Sequence, residues 1–194
     1  MSVNLSPGDA LILVDVQRDF LPGGSLAVPH GDAVVPILNR YIGAFAARAL
    51  PVFATRDQHP PDHCSFHLQG GPWPVHCVAG TAGAAFAADL ALPGDAGQIA
   101  KAAAPDRDAY SGFEGTDLEP RLRARGVRHL FVGGLATEYC VLRTVLDALH
   151  LGFRVFLLVD AIRAVEAVPG DGAAAVARMT AAGATAIRFA DLRP

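Results

Sequence analysis

Cys140 closes the run Gly133-Gly134-Leu135-Ala136-Thr137-Glu138-Tyr139-Cys140, which reads as the end of an apolar strand turning into a helix that Thr137 caps. A thiol in a first helical turn meets unpaired backbone amides. These favour the reactive thiolate and can hold an oxyanion during acyl transfer. A cysteine nucleophile needs a base, usually histidine. None of the seven histidines is well placed for the task. His129 begins a strand and so falls at the opposite sheet edge, His150 sits at the far end of the Cys140 helix, and His30 lies in a loop that nothing directs inward. Asp15 and Lys101 each follow an apolar run, and Lys101 is the only lysine in the chain. In a Cys140–Asp15–Lys101 set, Asp15 accepts the thiol proton and later delivers it to a departing amine. Lys101 favours the charged forms of both partners.

A second group starts at Asp57-Gln58-His59 and continues through His63, His67 and His76, four histidines within eighteen residues. In extended backbone, residues i and i+2 point to the same side, so Asp57 and His59 can grip one ion while His76 closes from the far end of the loop. A carboxylate with imidazoles suits Zn²⁺, Fe²⁺ or Mn²⁺ and leaves positions for water or substrate. Cys64 and Cys77 adjoin two of these histidines and could serve as ligands, but packing is the preferred reading.

The elements that must position these side chains follow from hydrophobic pattern. Ala10–Val14 is continuously apolar, as in a strand buried on both faces of a parallel sheet. Further strands are expected at Val52–Thr55, Gln98–Ala100, Leu130–Val132, Val155–Val159 and Thr185–Phe189. A helix opens at Gly31-Asp32 with Ile37, Leu38, Tyr41, Ile42 and Phe45 on one face. Others are expected at Asp117–Arg125, Glu138–Leu151 and Asp171–Ala182, the last two closed by Gly152 and Gly183. The alternation predicts an α/β chain: a three-layer fold with a central, mostly parallel six-stranded sheet and helices on both faces. Such sheets bind ligands beyond the carboxyl ends of their strands. Asp15, Asp57, Lys101 and Cys140 all fall at that edge. The irregular stretch from His59 to about Gly83 is long enough to be functional.

Bulk properties narrow the classes. The chain has 194 residues, 52% hydrophobic and 18% charged, which fits a single globular domain over 1–194. A net charge of −3 without a basic run speaks against nucleic acid or an anionic membrane as partner. No apolar stretch approaches the ~18 residues of a membrane span. Residues Met1 to Gly8 do not read as a secretory signal. Three cysteines do not make a disulfide framework, so the expected compartment is the reducing cytoplasm. Enzymes of this size and class often self-associate, and no pattern here decides for or against a homo-oligomer.

Taken in order, the motifs Val14-Asp15-Val16-Gln17-Arg18-Asp19-Phe20, Thr55-Arg56-Asp57-Gln58-His59-Pro60, Gly71-Pro72-Trp73-Pro74-Val75-His76-Cys77, Lys101, Tyr110-Ser111-Gly112-Phe113-Glu114-Gly115-Thr116 and Gly134-Leu135-Ala136-Thr137-Glu138-Tyr139-Cys140-Val141 carry a resemblance. Over Leu11 to about Phe189, the chain resembles the nicotinamidase/pyrazinamidase branch of the isochorismatase-like cysteine hydrolases. That resemblance implies conversion of nicotinamide to nicotinic acid and ammonia through a thioester, with pyrazinamide as a further substrate. It implies Asp15, Lys101 and Cys140 as catalytic triad and Asp57, His59 and His76 as ligands of one divalent metal, zinc first, with iron or manganese as alternatives. It implies a cis peptide before Ala136, an oxyanion hole from the amides of Ala136 and Cys140, and Phe20 and Trp73 flanking the pyridine ring, with Tyr110 as a further pocket residue. Some relatives use a histidine near His63 as a ligand; here His63 is left outside the set. Gln58 stands where many relatives carry an aromatic residue. Two rivals stay open at this level: a related amidase acting on another small amide or carbamoyl compound, whose relatives generally lack the metal loop, and a catalytically silent binding module.

Overall fold

The computed structural model describes residues 2–193. The two outermost positions of the expected 1–194 domain, Met1 and Pro194, lie outside the described residues. Six strands form one sheet: β1 (Asp9–Val14), β2 (Val52–Asp57), β3 (Gly97–Lys101), β4 (His129–Leu135), β5 (Arg154–Arg163) and β6 (Thr185–Ile187). Their order is β3-β2-β1-β4-β5-β6, and every pairing between these strands is parallel. The expected "mostly parallel" sheet is thus wholly parallel.

β1 shows why the sheet is central. All six of its residues are buried, and the pleat sends alternate side chains to opposite faces. Leu11 and Leu13 join one core with helix α1 (Val34–Ala46). Ala10, Ile12 and Val14 join the other, built with α2 (Leu118–Ala124), α3 (Leu142–His150) and α4 (Asp171–Ala181). Leu38, Tyr41, Ile42 and Phe45 form the buried stripe of α1, with Ile37 at its margin. The approach of β4 to β1 is close enough to require Gly134: its φ is +130°, and a Cβ there would stand 2.1 Å from the Val14 carbonyl oxygen.

Some boundaries differ from the sequence expectation. Gly31–Ala33 is a 3₁₀ turn that leads into α1. β5 continues to Arg163 because Asp160, the polar residue that ends its apolar run, accepts hydrogen bonds from Tyr41 Oη at 3.1 Å and Phe189 N at 2.8 Å. β6 stops at Ile187, and Phe189 begins a 3₁₀ turn. Among the described residues no helix is long and apolar enough to cross a membrane.

Candidate active site

The strand order reverses direction between β1 and β4, and ligands of open parallel sheets bind at the carboxyl ends of strands flanking such a point. Asp15 directly follows β1, Asp57 and Lys101 are the last residues of β2 and β3, and Cys140 lies in the turn after β4. All four are buried.

That turn departs from the sequence reading. Thr137–Val141 forms one π turn, with Val141 N donating to Ala136 O across five residues, and only then does α3 begin. Ala136, not Thr137, is the capping position, and no side chain caps it. The peptide between Leu135 and Ala136 is cis, as the resemblance implied.

Lys101 is the hub of the acid–base set. Its Nζ donates to Asp57 Oδ1 at 2.5 Å, to Ala109 O at 3.0 Å and toward Cys140 Sγ at 3.5 Å. It forms an ion pair with Asp15 Oδ2 at 3.0 Å. Asp15 Oδ1 accepts from Thr55 Oγ1 at 2.6 Å, whereas Oδ2 makes no well-directed hydrogen bond and remains an open acceptor. One carboxylate oxygen each of Asp15 and Asp57 and the Cys140 sulfur lie within 4.8 Å of one another.

Burial is the largest influence on the charges of this set. It raises the Cys140 thiol well above the ordinary range, and Asp15 and Asp57 push the same way against Lys101. Position in the turn argued toward the thiolate; burial and the two nearby carboxylates push the other way. Asp15 is likewise raised by burial, with Lys101 opposing and Asp57 adding. For Lys101 burial acts downward, but the Asp15 and Asp57 charges overcome it and hold the amine protonated.

The second cluster shares Asp57. One ligand atom from each of Asp57, His59 and His76 falls within 4.8 Å of the others, and all three residues are buried. His59 Nδ1 is bound to Ala102 O at 3.1 Å and His76 Nδ1 to Pro74 O at 2.8 Å. Each ring thus carries its proton on Nδ1 and leaves an Nε2 lone pair for an ion. Burial first, then the neighbouring His76 and His63, push the His59 pKa down to about 3, which keeps it neutral as a ligand must be. These residues fit a divalent metal. His63 is buried outside the cluster, with Nδ1 bonded to Ser65 Oγ at 2.7 Å and Nε2 to Arg107 O at 3.1 Å, so neither nitrogen is free. Cys77 packs in the core and Cys64 belongs to neither ligand group.

Cys140 and the Asp57–His59–His76 cluster open on one small cavity of mostly apolar wall. Phe20, Trp73, Tyr110 and Ala136 line it, together with Asp57, His59, His76 and Cys140. Trp73 Nε1 donates to Tyr110 Oη at 2.9 Å, which ties two wall residues together. Sequence reasoning missed Tyr139, Leu26, Val28 and Val165 in the wall. Tyr139 was signalled by its place before Cys140, whereas the aliphatic residues come from loops that carry no chemical signature.

Fold and site together define a cysteine hydrolase of the doubly wound α/β class with an adjoining metal-ligand cluster. Residues 9–191 match the isochorismatase domain, and the chain belongs to that family. It is 41% identical to a nicotinamidase of Escherichia coli, over 95% of this chain and 97% of the relative. The structure of a pyrazinamidase of Pyrococcus horikoshii in complex with zinc superposes with a TM-score of 0.91 at 50% identity, covering 94% of this chain and 100% of the other. PnC1 from L. infantum in complex with nicotinate superposes with a TM-score of 0.92 at 37% identity, covering 100% and 99%.

Proposed function

We propose that this chain, acting as a single domain, is a nicotinamidase that hydrolyses nicotinamide to nicotinic acid and ammonia, and accepts pyrazinamide. The observation that carries the reading is the convergence of Cys140 and the Asp57–His59–His76 cluster on one small cavity, with Asp15 and Lys101 packed against Cys140 and Asp57 behind its wall. The relatives that share the fold at high coverage include a nicotinamidase and a pyrazinamidase, which favours this substrate class over other small amides.

In this reading the pyridine ring lies between Phe20 and Trp73, with its carboxamide carbon against Cys140 Sγ. A divalent ion, zinc by preference, would be held by Asp57, His59 and His76 and would supply a Lewis-acidic anchor for the ring nitrogen. Asp15 Oδ2 takes the thiol proton as the sulfur adds to the carbonyl. The amides of Ala136 and Cys140 hold the developing oxyanion. Collapse breaks the C–N bond, and ammonia leaves with the proton returned from Asp15. Water then attacks the thioester while Asp15 takes its proton and passes it back to sulfur. Lys101 keeps Asp15 competent by balancing the paired carboxylates throughout. A reduced thiol is needed at each turnover, which supports placement in the cytoplasm.

The test is direct: purified protein supplied with nicotinamide should release ammonia and nicotinic acid in equal amounts. Turnover of carbamoyl compounds with none of nicotinamide would overturn the substrate assignment.

A further inference from the structure

The segment after β1 contributes Asp15 to the acid–base set, yet its Gln17 and Asp19 are used by nothing in the chemistry above. Gln17 is fully buried. Its side-chain amide clamps the backbone of Asp57: Oε1 accepts from Asp57 N at 2.7 Å, and Nε2 donates to Asp57 O at 2.9 Å and to Ala84 O at 3.0 Å. Its own N donates to Asp15 O at 2.8 Å, so one residue ties the catalytic acid to the first residue of the metal-ligand cluster. Asp19 does the corresponding work at the other end of the loop. Its Oδ2 accepts from Cys77 N at 2.7 Å, one residue beyond His76. Gly83 allows this approach, since a Cβ there would come within 2.1 Å of that same carboxylate oxygen.

Asp57 and His76 stand at the two ends of a loop that makes little regular structure, with a single 3₁₀ turn at His67–Gln69. Bringing the ends of such a loop together costs chain entropy, and something must hold them at ligand spacing. Backbone bonds of the 15–19 segment to the chain after Cys77 reinforce the arrangement: Arg18 N donates to Ala85 O at 2.9 Å and Asp19 N to Gly83 O at 3.1 Å.

We infer that Gln17 and Asp19 are positioning residues for the metal site, setting the separation of Asp57 and His76 before any ion arrives. Neither touches an ion or a substrate. The inference rests on the reading of Asp57, His59 and His76 as ligands. Groups that orient metal ligands typically change metal affinity or activity by about 10–100-fold when removed.

The experiment titrates metal-free protein with zinc alone against a chromophoric chelator, for the parent, Gln17→Met, Asp19→Ala and Asp57→Ala. Gln17→Met deletes three hydrogen bonds at similar volume, and Asp19→Ala deletes the tie to Cys77. Each is expected to weaken zinc affinity by about 10–100-fold, with near-ultraviolet dichroism like the parent's. Ammonia release by either variant should recover as zinc is raised, which a merely misfolded protein would not do. Should Gln17→Met fail to fold, Asp19→Ala, whose side chain is only partly buried, carries the test. Parent-like zinc affinity in folded Asp19→Ala, or lost turnover that zinc does not restore, overturns the inference. Equal zinc affinity in the parent and Asp57→Ala would instead overturn the ligand assignment beneath it.

Discussion

Replacing Lys101 by methionine tests the electrostatic logic of the site in a single change. The ammonium is buried to 2% exposure between Asp15 at 3.0 Å and Asp57 at 2.5 Å. Methionine fills much of the same volume but leaves two buried carboxylates facing each other without a cation, and the Ala109 carbonyl without a donor. Removing one partner of a buried ion pair typically costs about 3–5 kcal/mol. With a urea m-value of about 1–3 kcal/mol per molar, that loss should lower the unfolding midpoint by roughly 1–5 M. Nicotinamide turnover should collapse as well, since Asp15 then holds its proton against a second carboxylate. The discriminating measurement is a double-mutant cycle with Asp15→Asn, followed by urea unfolding. Once Asp15 is neutral, much of the cost of losing the cation disappears, so the two changes should be non-additive by about 0.5–3 kcal/mol. Strict additivity, or a Lys101→Met protein as stable and active as the parent, would refute the account of Lys101 as the site's counter-charge.

Further outcomes follow from individual contacts. Trp73→Phe removes the 2.9 Å bond to Tyr110 Oη. Worth about 0.5–1.5 kcal/mol, its loss should raise KM for nicotinamide by roughly 2–13-fold and leave kcat less affected, as steady-state kinetics would record. Gly134→Ala forces a Cβ to within 2.1 Å of the Val14 carbonyl at a positive φ, so thermal unfolding should show a loss of more than about 3 kcal/mol or no folded protein. Removing metal with a chelator should abolish ammonia release, and added zinc should restore it; full activity after verified metal removal would exclude a role for the Asp57–His59–His76 cluster.

Much of this arrangement was legible in the sequence, for identifiable reasons. Fully buried strands of a parallel sheet need unbroken apolar runs, so β1, β2 and β4 announced themselves, and with them the edge where Asp15, Asp57 and Cys140 stand. Asp57 and His59 share a side because the backbone stays extended past β2, bringing Oδ2 and Nε2 to 3.8 Å. The π turn was not legible, because periodicity over one turn does not separate closure across four residues from closure across five. The upward push on the Cys140 thiol escaped because burial is a property of the assembled layers; helix position alone argued for the opposite direction. Gln17 sits plainly in its motif, but its three backbone partners at Asp57 and Ala84 are 40 and 67 residues away and are defined only by the fold.

The central claim is that the Cys140 sulfur carries the acyl group. Its most direct test is nicotinamide hydrolysis by Cys140→Ala, with zinc content and circular dichroism matched to the parent. Loss of the nucleophile from an otherwise intact site should lower kcat by at least about a thousandfold. A folded, metal-loaded variant that still releases ammonia within about tenfold of the parent rate would contradict it, because catalysis would then proceed without the thioester.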